Sequence, residues 1–477
     1  MKNAVLTITI LFTALLSSYG QLELRVDYTY SSQACDAVHY PLDVFNRITP
    51  VNGFRIPATN NAKLCIVRPL GGIYKNGGPD YGLDSYLWNE EDKTLYTDFT
   101  VLKKQIDGIL NKGFGIHQIV LDNPSWAFQR DSLGNFENDS LKVETYGNAE
   151  PPSDFNAWGN YLKEVMTFLI DTYGKDEVLK IQFGIGREIG TKGHWTGTKE
   201  QFFEFYKTSV NAIHEVLPEV KVGSHFLWES SKNAWGADFV KWCKANQVHY
   251  DVVGVSYYPF YHRANRTNFS EVYRNDFGAI KDIPEWDEDA VMEIHEFSLI
   301  ETMNAKGNGY ESAGAKYQNS FLVGMMKILF DKGIKNLFQW GTGEQYMPAN
   351  AEIENLDGAI YYKSSKSGTQ QSSTNYVDAI FTKDTVNGMY NVMAYNYNAS
   401  PKSNVAENIQ LSAQLNVPPG TNIKFRSAVY NTNNGTLPWS SWQISSTKGE
   451  QADKSTIGFK HELPAFSFLK YEYYIID

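Results

Sequence analysis

Short apolar runs alternate with longer amphipathic segments along the first 360 residues. The short runs have the length of buried strands, whereas the amphipathic segments repeat apolar residues every three to four positions, as helices do. Such alternation predicts an α/β fold of parallel strands and crossover helices. Eight candidate strands, the number of a (β/α)8 barrel, are Leu64–Val67, Tyr86–Trp88, Ile116–Leu121, Lys180–Ile185, Val220–His225, Val252–Ser256, Val291–His295 and Asn336–Trp340. The candidate helices between them are Phe99–Asn111, Phe155–Thr172, Lys199–Val216, Ala237–Ala245 and Ala315–Asp331.

The pattern of apolar and polar residues changes after about residue 361. Residues 363–374 are polar and rich in turn-forming residues, which is typical of a loop or linker. Beyond them the apolar positions alternate in short segments, which predicts an antiparallel β-sandwich. These segments are Asn391–Tyr397, Ile409–Leu415, Ile423–Tyr430 and Phe466–Ile475. We therefore expect a barrel over residues 51–360 and a sandwich over 376–477, to which the segment 21–50 adds a strand at Leu22–Tyr30.

The N-terminus has the composition of a cleaved leader. Lys2 precedes an apolar run, Ala4–Leu16, that is too short to span a membrane. Ser18 and Gly20 are small residues at the positions that signal peptidases select. The sequence predicts a signal peptide over residues 1–20 and a secreted or periplasmic protein without a membrane anchor.

The charge, cysteine and aromatic content of the chain bear on which kinds of molecule it binds. A net charge of −11 argues against a nucleic-acid partner. The three cysteines Cys35, Cys65 and Cys243 are too few for a disulfide framework, and the apolar surroundings of Cys65 and Cys243 favour core positions. Aromatic residues make up 14% of the chain, which suits stacking against sugar rings and equally suits a large β-rich core.

Two glutamates stand at the ends of apolar runs, Glu188 after Ile181 to Arg187 and Glu296 after Ala290 to His295. A (β/α)8 barrel carries its chemistry at the C-terminal ends of its strands. Cleavage of a glycosidic bond usually requires two carboxyl groups that flank the bond. Although a glutamate chosen at random is more often a surface residue, the two strand-end positions favour a catalytic pair.

The alternation of a regular strand assigns the neighbours of Glu296 to the other face. Glu293 lies three residues earlier, so it is expected to point toward the surrounding helices or toward polar partners on the solvent side. His295 is expected to alternate outward in the same way and to be a structural histidine. No histidine pair shows a short ligand spacing, and the sequence therefore predicts no metal site and no cofactor.

Several segments resemble the family-39 glycoside hydrolases, which include β-xylosidases and α-L-iduronidases. The resemblance rests on Asp171–Val178, His194–Tyr206, Leu217–Gly223, Cys65–Arg68, Tyr96–Asp98 with Asp107 and Gly113, Tyr250–Val253 and Phe338–Trp340. It covers most of the barrel and, more loosely, the sandwich. The resemblance implies that Glu188 is the acid/base and Glu296 the nucleophile of a retaining enzyme, on the fourth and seventh strands.

The departures from that family concern the sugar pocket. The family places Trp-Asn before the acid/base, whereas this chain has Gly186-Arg187. Because a guanidinium suits sulfate or carboxylate, we expect Arg187 to bind an anionic sugar, unless it pairs with a carboxylate of the protein. The family's Arg-x-His-Gly becomes Arg68-Pro-Leu-Gly71, and its histidine on the sixth strand becomes Ser256. These departures favour an anionic sugar over neutral xylose.

Other candidate substrate contacts come from strand ends and loops. Tyr258 is expected to bond the nucleophile or to be a core tyrosine, and Trp340 to stack on a sugar. His225 ends the fifth candidate strand. The remaining candidates are Arg68, Asn123, Trp126, His262 and Arg263.

The sequence as a whole predicts a secreted retaining glycoside hydrolase whose partner is a carbohydrate with sulfated or uronic sugars, such as a marine sulfated galactan. It predicts no nucleic-acid or membrane partner and leaves the oligomeric state open. Two alternatives remain, a neutral β-xylosidase-like exo-hydrolase and a barrel that binds carbohydrate without cleaving it.

Overall fold

A computed structural model describes residues 21–29, 34–35, 64–122, 124–129, 142–143, 147–260, 269–297, 300–303, 310–312, 315–334, 336–339, 347–356, 358–398, 400, 404–431, 438–449 and 453–476. Seven strands of this part of the chain pair in parallel in one sheet. In spatial order they are Leu337–Gln339, Val291–Phe297, Val252–Tyr257, Lys221–Leu227, Gln182–Ile189, Gly115–Leu121 and Leu64–Val67. Their order along the chain is the reverse of this, as in a (β/α)8 barrel.

Helices connect consecutive strands of this sheet. Lys199–Val216 begins with a capping box, in which Thr198 and Gln201 bond each other's backbone N–H groups, and Asp154 caps Phe155–Tyr173. The other long helices are Thr100–Leu110, Gly236–Asn246 and Ala315–Asp331. Shorter helical segments are Tyr81–Leu83, Trp126–Gln129, Lys175–Val178, Phe269–Glu271, Val272–Phe277, Gly278–Lys281 and Met347–Glu354. None of the helices in the described ranges is long and apolar enough to cross a membrane.

The expectation that Tyr86–Trp88 is a barrel strand was wrong. Tyr86–Asn89 pairs antiparallel with Thr94–Thr97 in a separate hairpin, and Leu64–Val67 pairs directly with Gly115–Leu121. The hairpin residues are half-buried or exposed, whereas the barrel strands are buried along almost their whole length. Three further hairpins join Ile73–Lys75 to Gly78–Asp80, Lys142–Val143 to Gly147–Asn148, and Ile300–Met303 to Tyr310–Ser312.

The two faces of the barrel sheet differ in polarity. Side chains such as Val253, Val255 and Ile294 face outward and join the main core with the helices. Inside, the apolar residues Ile66, Val120 and Phe338 form a small separate cluster. The rest of the described interior carries polar groups, among them His117, Gln182, His225, Glu293 and His295. Most of the hydrophobic stabilisation of the barrel therefore comes from its outer face.

Two sheets, in which most strands pair antiparallel, form the sandwich. One has the order Ser364–Gly368, Leu22–Asp27, Glu407–Leu415 and Ser455–Leu463. The other has the order Ala34–Cys35, Ile360–Tyr362, Asn375–Asp384, Met389–Asn398, Ser467–Ile476, Asn422–Tyr430 and Gln443–Ser446. Their facing side chains, including Leu24, Leu411 and Tyr473, make a second core. Leu22–Asp27 lies inside the first sheet, parallel to Glu407–Leu415.

The interpretation of residues 363–374 as a loop or linker was only partly correct, because Ser364–Gly368 is an edge strand that pairs with Leu22–Asp27. Its polar sequence fits an edge that faces solvent, since four of its five residues are exposed.

The central strand of the seven-stranded sandwich sheet, Met389–Asn398, is buried on both faces. One face lines the sandwich core, and the other packs Met393, Tyr395 and Phe468 into the same cluster as Phe321 of the helix Ala315–Asp331. The buried ammonium of Lys470 donates to Glu352 of the helix Met347–Glu354, which adds an ion pair across the same contact. Barrel and sandwich therefore share one continuous apolar interface.

Candidate active site

The strand that carries Glu188 is interrupted by a β-bulge. Ile185 lies opposite Ser224, but Ile189 lies opposite Phe226, so Gly186, Arg187 and Glu188 together face His225 alone. Gly186 and Glu188 have φ angles of 77° and 46°, in the left-handed region that a glutamate rarely adopts. Glycine adopts this region freely, whereas a non-glycine residue held there costs about 1–3 kcal/mol, and such outliers cluster at functional sites. Because the bulge breaks the in-out alternation, Arg187 and Glu188 are both buried beside Glu296.

A second bulge lies in the strand that carries Glu296. Ile294 lies opposite Val255, and Glu296 lies opposite the next residue, Ser256, so His295 is the extra residue. The prediction that Glu293 and His295 point outward was therefore wrong, because it assumed a regular strand. Glu293 bonds side chains from other barrel strands, and His295 packs against His225 with ring centroids 5.3 Å apart.

Glu296 is the most heavily bonded side chain of the site. Arg187 donates from Nε at 3.0 Å and from Nη2 to the same carboxylate oxygen. The hydroxyl of Tyr258 donates to the other oxygen. Of the two roles considered for Tyr258, a bond to the nucleophile candidate and a place in the core, the structure shows the first. Arg187, for which a substrate anion and a protein carboxylate were both considered, thus forms an ion pair with a protein carboxylate.

The pKa of Glu296 reflects two opposed influences. Burial raises this pKa most, the positive charge of Arg187 lowers it, and the nearby Glu188 raises it again, so that the pKa lies above its ordinary value. Burial also works to lower the pKa of Arg187, but the carboxylates of Glu296 and Glu188 outweigh it and raise that pKa. Arg187 therefore stays charged at every pH at which the protein is folded.

Glu188 has a different polar neighbour, a histidine that sequence reasoning did not single out. Nε2 of His194 lies 3.1 Å from a carboxylate oxygen of Glu188, and the imidazole is fully buried. His194 follows the strand end at Ile189 by five residues, on the loop that leads to the helix Lys199–Val216. Its position on a loop at the C-terminal end of a barrel strand is the signal that would have identified it.

His225 lies beneath the two carboxyl groups. Its Nε2 is 2.9 Å from the hydroxyl of Ser256, and the side chain is almost completely buried. Burial and the neighbouring His295 and Arg187 hold the pKa of His225 well below its ordinary value, so the ring is neutral at physiological pH. In this structure His225 supports the floor of the site.

The remaining sequence candidates divide into two groups. Arg68 is buried and donates from Nε to Asp122 at 2.8 Å. Trp126 was expected to line the cleft, but it is fully buried and its indole donates to the carbonyl of Ile73 at 2.7 Å, so the ring offers no face to a sugar. The others, Asn123, His262, Arg263 and Trp340, lie outside the described residues.

Two buried carboxyl groups at the C-terminal ends of barrel strands, each with its own polar partner, are the arrangement of a glycoside hydrolase. The profile of glycosyl hydrolases family 39 matches residues 85–279. The chain is 56% identical to an alpha-1,4-L-rhamnosidase of Formosa agariphila over 454 residues, which cover 95% of this chain and 93% of that protein. It is 33% identical to a beta-xylosidase of Caldicellulosiruptor saccharolyticus over 114 residues, 24% of this chain and 23% of that protein.

Solved structures agree on the fold. A monomeric beta-xylosidase from Caulobacter crescentus CB15 superposes with a TM-score of 0.59 at 13% identity, covering 95% of this chain and 100% of that one. A glucosidase from Croceicoccus marinus superposes with a TM-score of 0.59 at 11% identity, covering 96% and 100%. The chain belongs to glycosyl hydrolase family 39, so the resemblance, the enzyme class and the barrel with an accessory domain are confirmed.

A substitution at Gly186 tests the role of the bulge. A Cβ at this position would lie 2.7 Å from the side chain of Ile189 and 3.0 Å from Phe202. We expect Gly186→Ala to displace Arg187 and Glu188 and to lower kcat/KM by about 100-fold, the effect of a shift near 1 Å in a catalytic group. Steady-state kinetics on an aryl glycoside that the wild type cleaves measures this.

Gly388→Ala is the matched control, because Gly388 has a similar φ of 65° and a Cβ there would meet nothing within 4 Å. It should cost stability of about 1 kcal/mol and leave kcat/KM unchanged. Equal activity of the two variants would show that the bulge does not position the carboxyl groups.

Proposed function

We propose that this enzyme is a retaining α-L-rhamnosidase that removes α-1,4-linked L-rhamnose, with Glu296 as nucleophile and Glu188 as acid/base. The substrate assignment rests on the 56% identity to an alpha-1,4-L-rhamnosidase over 95% of the chain. The contacts of the two glutamates support their roles.

The partners of Glu296 suit a group that must be ionised. A guanidinium and a phenol both donate to its carboxylate, and hydrogen bonds to the charged form favour that form. Burial raises the pKa of Glu296, and the bonds from Arg187 and Tyr258 work against that rise. The same burial leaves the ionised carboxylate weakly solvated, which favours its attack. Glu188 has the imidazole of His194 as its polar neighbour in place of an arginine, which suits a carboxyl group that must exchange a proton.

The reaction proceeds in two displacements on this assignment. A carboxylate oxygen of Glu296 bonds the anomeric carbon while the bond to the leaving oxygen breaks and Glu188 donates its proton to that oxygen. Glu188, now ionised, removes a proton from water, whose oxygen attacks the anomeric carbon and releases Glu296. Two inversions leave the sugar with its original anomeric configuration.

The charge of the substrate is a separate part of the proposal. An anionic glycan was expected because of Arg187, but the guanidinium of Arg187 bonds Glu296. A uronic or sulfated residue beside the rhamnose would therefore be recognised by other groups. A β-xylosidase-like activity is the second candidate, and the local identity to a beta-xylosidase favours it. A barrel without activity does not fit relatives that are hydrolases.

Product analysis tests both the sugar and the roles. We expect the wild type to release rhamnose, with the α-anomer formed first in NMR spectra, from 4-nitrophenyl α-L-rhamnoside and from rhamnose α-1,4-linked to a uronic acid. Glu296→Gln and Glu188→Gln should each lower kcat on the uronic disaccharide by roughly 10³-fold or more, since each removes a reacting group. The control Glu219→Gln changes an exposed glutamate that pairs with Lys175 and should keep full activity. Release of xylose from an aryl β-xyloside, with no rhamnose from either substrate, would contradict the proposal.

The pH profile tests the ion pair between Arg187 and Glu296. Arg187 lowers the pKa of Glu296, so its removal raises that pKa and less of the nucleophile is ionised at low pH. For Arg187→Gln we expect the acid limb of kcat/KM to move to higher pH by about 1–3 units. Arg426→Gln is the control, because it removes an arginine that pairs with Glu472 in the sandwich. An acid limb that stays in place in Arg187→Gln would show that Arg187 does not tune the nucleophile.

Export is also part of the proposal and rests on the leader at residues 1–20. We expect the protein purified from its source organism to begin near Gln21, because a peptidase would cut after Gly20. Mass spectrometry of the intact chain measures this. A chain that retains residues 1–20 would contradict it.

A further inference from the structure

A second polar cluster lies inside the barrel, below the level of Glu188 and Glu296. His117 and Glu293 are each the third residue of their strands, Gly115–Leu121 and Val291–Phe297, and His295 directly precedes Glu296. A cavity of about 430 Å³ opens onto this cluster, and His117, Gln182, Glu293 and Asn336 are among its lining residues. The proposed chemistry of the enzyme uses none of these groups.

The three side chains converge on one point. Nε2 of His117 and Nε2 of His295 each lie 2.8 Å from the same carboxylate oxygen of Glu293. The three atoms all lie within 4.8 Å of one another. Neighbouring ligand atoms of a tetrahedral Zn²⁺ ion are about 3.3–3.6 Å apart, because each lies about 2.0–2.2 Å from the metal. Both nitrogens therefore need to move away from the carboxylate oxygen by about 0.5–0.8 Å for an ion to bind.

The surroundings hold the ligands in place. The ring of Phe338 packs against His117 and His295, with centroid distances of 4.7 and 6.1 Å. The second carboxylate oxygen of Glu293 accepts hydrogen bonds from Asn336 at 2.7 Å and from Gln182 at 3.3 Å. Outer partners of this kind orient metal ligands and leave the first oxygen turned toward the histidines.

Gln182 supplies an independent sign of a missing ligand. Its side chain lines the cavity and is only 7% exposed, and its amide oxygen is buried without a hydrogen-bond partner among the described residues. Its amide nitrogen donates to Glu293, so turning the amide over would set two oxygens against each other. A buried acceptor left unpaired costs about 1–3 kcal/mol. A water molecule bound to a metal ion could donate to this oxygen.

We propose that His117, Glu293 and His295 form a binding site for a divalent transition-metal ion of the Zn²⁺ class. Two imidazoles and one carboxylate are a ligand set that Zn²⁺ prefers, and water from the cavity completes the coordination. The ion joins strands that are not neighbours in the sheet, because three strands separate Gly115–Leu121 from Val291–Phe297. None of the three ligands takes part in the proposed chemistry, so the role of the ion is to stabilise the fold around His295, which packs against His225 beneath the active site. This inference does not depend on which sugar the enzyme cleaves.

Metal binding by the full-length protein tests the site. After chelator treatment and dialysis, wild type incubated with Zn²⁺ should retain one ion per chain by inductively coupled plasma mass spectrometry. Its Tm should rise by a few degrees over the chelated form, because the ion binds only the folded state. Co²⁺ should give visible absorption bands that Zn²⁺ abolishes by competition.

His117→Ala should weaken Zn²⁺ binding by more than about tenfold in calorimetric titration, since it removes one of three ligands. His249→Ala is the matched control, because His249 is exposed and pairs with Asp251 outside the cluster. Glu293→Gln provides a second variant if His117→Ala fails to fold by circular dichroism. Absence of bound Zn²⁺ and Co²⁺ in folded wild type, or retention of full affinity by folded variants of the cluster, would show that the three residues form only a hydrogen-bonded network.

Discussion

The ion pair between Arg187 and Glu296 is the interaction on which the rest of the site depends. A carboxylate and a guanidinium are both buried inside the barrel, and neither would be tolerated there alone, because the loss of hydration costs several kcal/mol per ion. Each therefore requires the other. Tyr258 bonds the remaining oxygen of Glu296, so the carboxylate has a single orientation toward the space beside Glu188.

That ion pair exists only because two strands depart from regular geometry. A regular strand would send Arg187 and Glu188 to opposite faces of the sheet. The bulge at residues 186–188 brings both to the same side, and the bulge at His295 turns Glu296 toward them. Bulges beside active sites serve this purpose in many sheets, and here the cost is the left-handed backbone of Glu188, since Gly186 adopts such a conformation freely.

The same bulges explain what the sequence could and could not predict. The helix Lys199–Val216 was predicted to the residue, because a capping box and an amphipathic pattern both depend on local sequence. The two glutamates were identified because an apolar run in the sequence shows where a barrel strand ends. Glu293 and His295 were wrongly assigned to the outer face of the barrel, because no local sequence pattern in this seven-residue strand indicates a β-bulge. The contact between Glu188 and His194 was missed because a loop, not a repeating pattern, forms it.

The strand Leu22–Asp27 links the two ends of the chain. It lies between two later strands, and the hydrogen bond from Arg25 to Gln414 spans 389 positions of sequence. Contacts of such long range form late in folding, because the loop that separates their partners must close first. During synthesis Leu22–Asp27 therefore stays unpaired until its partner Ser364–Gly368 has been made, and it gains its second partner only with Glu407–Leu415. The sandwich sheet that contains this strand can be completed only when most of the chain has left the ribosome.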